Sequence, residues 1–112
     1  MKKLIDIEEQ AALFSVLSDP TRLKLLRLLS QQKEQDALCV NALARHLGVT
    51  QSAVSQHLKV LKSAGLAKGE RRGYRVHYFI NRAVMKHAQR QILGALAIDE
   101  KSSQNTDEVT GQ

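Results

Sequence analysis

The segment Val40–Gly65, VNALARHLGVTQSAVSQHLKVLKSAG, constrains the fold most, because it holds two short helical periods separated by a turn. Val40, Leu43, Ala44 and Leu47 fall at i, i+3, i+4 and i+7, the spacing of one apolar helix face, and Gly48 stands where that helix must end. Val49 anchors the turn and Thr50 carries the hydroxyl that an N-cap requires. Val54, Leu58 and Leu61 then form a second stripe, which runs until Gly65. Two short helices joined by about three residues predict a helix-turn-helix.

On the second helix, Gln51, Ser52, Ser55, Gln56, Lys59 and Lys62 lie off the apolar stripe, the first four within its opening turns. That end of a recognition helix meets base edges. Amides and hydroxyls both donate and accept, as the major-groove pattern requires, whereas lysines suit phosphates. The competing reading is a solvated polar face. His57 borders the stripe, and its position is compatible with either packing or contact.

The flanking chain supports this centre. Asp6 and Glu9 have capping-box character, and Ile7, Ala11, Phe14 and Leu17 continue at helical spacing, predicting a first helix over 7–17. Ser18-Asp19-Pro20 starts a second near Pro20, whose interior LKLLRLL is apolar on more than one side, as expected of a central strut. QQKEQDA (31–37) reads as a loop, and Leu38-Cys39 leads into the helix-turn-helix. After Gly65 the period becomes two. Leu66–Arg71 and Tyr74–Ile80 read as a hairpin, with Gly73 taking the left-handed position after a type I turn. Arg71, Arg72 and Arg75 cluster at its tip, where guanidinium forks match phosphate oxygens; a charged edge that resists aggregation is the compatible plainer reading. Asn81 caps a last helix over 82–98, with more apolar surface than a small domain needs, so the first and last helices are expected to form a two-fold dimer interface. The fold class is therefore mostly α with a small β-hairpin wing, a winged helix-turn-helix in the order α-α-α-α-β-β-α. One DNA-binding and dimerisation domain is expected over 1–98, followed by a disordered acidic tail over 99–112.

The run GVTQSAVSQHLKVLKSAGL, with LSDPTRLKLLRLL before it and RRGYRVHYFI after it, resembles the ArsR/SmtB family of bacterial winged-helix transcriptional repressors. The resemblance implies a homodimer that binds an operator and is released by a metal or another chemical signal. Metal-sensing relatives carry Cys-Val-Cys at the start of the third helix, whereas Leu38-Cys39-Val40-Asn41 has the first thiol and an asparagine for the second. A second family site uses Asp/His and His/Glu pairs on the last helix, which here offers only His87. No metal or other cofactor is therefore expected. Cys39 remains open between a small buried hydrophobe and a sensor whose thiol is activated at a helix start.

Charge favours a polyanion partner. Residues 43–82 hold eight Lys and Arg against one acid, Glu70, and residues 99–112 offset part of the basic body with −3. So few aromatics give no stacking platform for single strands, so duplex DNA is favoured. A lone cysteine, no apolar run long enough for a membrane span and no signal-peptide pattern point to a cytoplasmic protein. No phosphate loop or nucleophile with a His/acid partner suggests an enzyme, so no catalytic residue is expected. The reading is a homodimeric repressor that occludes a promoter at a near-palindromic operator, with release by a non-metal or redox signal. The alternatives are an effector-independent architectural regulator and a winged-helix protein-interaction module.

Overall fold

Two aspartates open the first two helices in the computed structural model, which describes residues 6–98. Asp6 accepts from Glu9 N at 3.0 Å and begins α1, Ile7–Leu17. Asp19 accepts from Thr21 N at 2.8 Å and Arg22 N at 3.2 Å, and Pro20 opens α2, Pro20–Gln31. Burial alone would raise the Asp19 pKa, but these two N–H donors, with His57 and Arg22 close by, hold it below the ordinary carboxylate value. That cap contribution is present above the unfolded-state pKa and is lost as pH falls through the lower folded-state one.

The helix-turn-helix is α3, Val40–Leu47, and α4, Gln51–Ser63. Gly48 ends α3 at φ 69°, with its N–H and that of Val49 on the Ala44 carbonyl at 2.9 and 3.2 Å. Thr50 Oγ1 then accepts from Ala53 N at 3.0 Å to start α4. At the far end, Gly65 N bonds Lys62 O and Leu66 N bonds Leu61 O, both at 2.9 Å, a Schellman closure that requires the left-handed Gly65. Leu25 and Leu29 of α2, Leu43 of α3, and Val54, Leu58 and Leu61 of α4 make one core with Leu66, Ala67 and Ile80.

The sheet has one strand more than the hairpin read from sequence. Leu38–Cys39 forms β1 and pairs antiparallel with β3, Arg75–Ile80, which also pairs with β2, Ala67–Arg72, in the order β1-β3-β2. A strand of two residues has no alternation to read. It is held by a distant side chain: Gln32 donates from Nε2 to Tyr78 O at 2.6 Å and accepts from Leu38 N at 3.1 Å. The loop preceding β1 contains one 3-10 turn, Glu34–Asp36.

The hairpin turn is also displaced from the expected one. Arg72 and Arg75 form the last pair, leaving Gly73 and Tyr74 as a two-residue loop with positive φ on Gly73 and not on Tyr74, the II′ pattern. A type I turn would splay strands that already carry a right-handed twist. Tyr74 therefore leaves the strand and is fully exposed.

Asn81 caps α5, accepting from Val84 N at 3.3 Å, and the helix runs over Arg82–Ala95, three residues short of the expected end at Ile98. Beyond Gly94 the apolar residues find no packing partner among the described residues, with Leu96 67% and Ile98 77% exposed. Of the stripe expected on α1, Ile7, Ala11 and Phe14 face outward and Leu17 alone packs on the core. Ile7 is 67% and Phe14 38% exposed, whereas Leu13, Val16 and Leu17 pack on the core and buried Gln10 donates to Gln91 O at 3.2 Å. Both faces of α1 are apolar, so periodicity alone does not tell inside from outside. The acidic tail over 99–112 lies outside the described residues.

Candidate nucleic-acid interface

The opening turns of α4 present Gln51, Ser52, Ser55 and Gln56 to solvent, followed by exposed Lys59 and Lys62, while Val54, Leu58 and Leu61 anchor the opposite face in the core. Anchoring by three buried aliphatics fixes the rotation of the helix, and so determines which side chains are free. His57 is not among them. It is half-buried, with Nε2 3.8 Å from Asp19 Oδ1, and ties α4 to the start of α2.

The wing meets this face through Tyr78. Lys62 Nζ lies 5.9 Å from the Tyr78 ring centroid, and Ser55, Lys59 and Lys62 share a cleft of about 300 Å³ with Tyr78. Cross-strand partners project to the same side of a sheet, so the register sorts the wing arginines. Arg71 pairs with Val76 and Gly69 with Tyr78, on the α4 side; Arg72 pairs with Arg75 and Glu70 with His77, on the other. Gly69 is needed there, since a Cβ would lie 2.8 Å from Val76 Cγ1.

The three arginines therefore stand in different surroundings. Arg71 is exposed, with a long contact of 3.4 Å to Gly73 O. Arg72 folds back, donating from Nε to Glu70 at 3.1 Å and lying 4.9 Å over the Phe79 ring. Arg75 donates to Cys39 Sγ at 3.6 Å. Tyr74, which the alternation of Tyr74–Ile80 predicts to begin the strand, instead stands at the loop apex beside them. Its position immediately after a turn glycine is the signal that marks it as a tip residue.

Cys39 stands at the start of α3. The backbone N–H of Ala42 lowers its thiol pKa most; burial opposes this, and the Arg75 guanidinium and the Asn41 N–H lower it further. Among the described residues, no three His, Cys, Asp or Glu side chains converge as a metal site, and no helix is long and apolar enough to cross a membrane.

The model of the arsR family of bacterial regulatory proteins matches residues 19–68. The transcriptional repressor SmtB homolog of Synechocystis sp. is 42% identical over 71 residues, 63% of this chain and 51% of that protein, so the match spans about half the relative's length. An uncharacterised HTH-type transcriptional regulator of Methanocaldococcus jannaschii is 37% identical over 73 residues, 65% of this chain and 79% of that protein. Among solved structures, a homodimeric winged helix-turn-helix DNA-binding domain from Mycobacterium bovis, a possible ArsR-family transcriptional regulator, is similar at TM-score 0.63 and 27% identity, covering 84% of this chain and 85% of that one.

Proposed function

The chain belongs to the ArsR family of bacterial regulatory proteins, and from that premise we propose that two copies form a homodimer that occludes a promoter at a near-palindromic operator. The observation that carries this is the free polar face at the start of α4, held in register by three buried aliphatics and continued by the cationic wing. In this reading Gln51, Ser52, Ser55 and Gln56 address base edges in the major groove. Lys59, Lys62 and the wing residues Arg71, Arg72 and Arg75 hold the backbone, and Tyr74 reaches the flanking groove. The outward apolar residues Ile7 and Phe14 of α1, Leu93 of α5 and Leu96 just beyond its end supply the surface that a second copy covers. Two-fold symmetry then sets the half-sites about one helical turn apart.

Footprinting on genomic fragments that the protein retains tests this reading, with a symmetric protected site as the expected result. Gln51→Ala and Ser55→Ala should each relax sequence preference, costing about 1–3 kcal/mol per lost base contact while leaving nonspecific binding in place. A chain that elutes as a monomer and protects single half-sites would refute the dimer.

Release is proposed to run through Cys39 rather than through a metal. Modification of the thiol would remove the acceptor that Arg75 engages, on the strand that leads to the wing tip. An electrophile such as iodoacetamide should lower duplex affinity of the native protein, and Cys39→Ser should bind normally and lose the response. Release by one equivalent of zinc or arsenite per protomer would contradict this account.

A further inference from the structure

Gly69 stands inside β2 although its φ is not positive, so no left-handed turn calls for it. A glycine inside a strand weakens the strand and marks a close approach instead. What approaches is the ring of Tyr78, its cross-strand partner: a Cβ at Gly69 would lie 3.1 Å from Tyr78 Cε1 and 3.5 Å from Cδ1, besides 2.8 Å from Val76 Cγ1. The ring therefore lies over the Gly69 backbone, in space that a side chain at that position would fill.

The same ring reaches the recognition helix. Ser55, Lys59 and Lys62 fall at i, i+4 and i+7 on α4, so they form one stripe, and that stripe lines the cleft shared with Tyr78. Lys62 Nζ is 5.9 Å from the ring centroid, at the far end of cation–π reach, and Tyr78 also packs on the core that seats α4. At that distance the attraction is weak, so the ring acts chiefly as a wedge between helix and hairpin. Its backbone is held from both edges: Tyr78 pairs with Leu38 and with Gly69, and its carbonyl accepts from Gln32 Nε2 at 2.6 Å. Toward the tip, Arg71 and Val76 make the next pair on the α4 side, whereas the contact of Arg75 with Cys39 lies on the other side of the sheet.

We infer that Tyr78 is a positioning residue for DNA binding: its ring, seated over Gly69 and against the Lys62 side of α4, fixes the angle between recognition helix and wing, so that Arg71 meets the backbone of the half-site whose bases α4 addresses. This role rests on the DNA-binding reading above. A wing held at that angle acts as a second module at high effective concentration. One that swings must be ordered at each binding event, and its contribution to affinity falls.

The test places Tyr78→Leu, Tyr78→Phe and Gly69→Ala in the full-length chain, each with and without Arg71→Ala, and measures affinity for a retained genomic duplex over a salt series. Tyr78→Leu should weaken binding about fivefold or more, and the loss caused by Arg71→Ala should be at least about threefold smaller in that background than in the native one. The salt slope of Tyr78→Leu should fall toward that of Arg71→Ala. Tyr78→Phe keeps the ring and should bind within about twofold of the native protein. Gly69→Ala forces Val76 or the ring to move and should reproduce the Tyr78→Leu pattern, so it carries the comparison if Tyr78→Leu does not fold. The pattern separates aiming from stability, because a variant that is merely less stable keeps its full dependence on Arg71. Residual dipolar couplings of the free ¹⁵N-labelled protein read the angle directly: amides of 69–76 and of α4 should fit one alignment tensor in the native chain and not in Tyr78→Leu. An equal loss from Arg71→Ala in both backgrounds, a Tyr78→Phe protein that binds no better than Tyr78→Leu, or a single tensor in Tyr78→Leu would overturn this role. If the native protein retains no duplex at all, the DNA-binding reading falls, while the dipolar couplings still decide whether Tyr78 fixes the wing.

Discussion

Raising salt from about 50 to 200 mM should weaken duplex binding by about 10⁴-fold, because a dimer that neutralises roughly eight phosphates loses affinity with a log–log slope near −7. In the proposed complex, Lys59, Lys62 and the wing arginines of both copies would supply those contacts. The surroundings of the arginines refine the expectation. Arg71 is exposed on the side of the sheet that meets α4, so Arg71→Ala should flatten the slope by up to about 2 per dimer. Arg72 is already engaged by Glu70 and the Phe79 ring and must leave both to reach a phosphate, so Arg72→Ala should flatten it less. Equal slopes for native protein and Arg71→Ala would remove the α4 side of the wing from the interface. Fluorescence anisotropy over a salt series measures both.

The second large effect is on folding. Leu61 is 0% exposed in the last turn of α4, and its carbonyl accepts the bond that closes the helix end. Leu61→Ala should cost about 3–5 kcal/mol, a large part of the roughly 5–15 kcal/mol that hold a small domain together. Leu23→Ala, on the half-exposed side of α2, should cost less than about 1 kcal/mol. Urea unfolding at fixed protomer concentration compares them, since dimerisation makes apparent stability depend on concentration. A Leu61 variant no weaker than the Leu23 variant would show that α4 is not seated as described and that its polar side is not fixed outward by the core.

The second effect depends on features that short-range chemistry made readable. Thr50, Gly48 and Gly65 mark the ends of α3 and α4 because a hydroxyl cap and left-handed glycines act within a few residues. The stripe Val54, Leu58 and Leu61 turned inward because only one side of α4 is apolar, so one arrangement buries it. On α1 the same logic had two solutions, and the helix put Leu13 and Val16 inside and left Ile7 and Phe14 out.

The sequence by itself determined the order of the helices and the hairpin, the free polar face of α4, and the concentration of positive charge around it, because caps, periodicity and composition are local. Only the tertiary structure decided that Leu38–Cys39 is a strand, that Gln32 bridges it to β3, and that Arg71 stands apart from Arg72 and Arg75. Each of these depends on a partner far away in the chain. Strand register in particular assigns whole sets of side chains to one side of a sheet or the other, and a one-residue change at the Gly73 turn would have reversed the assignment.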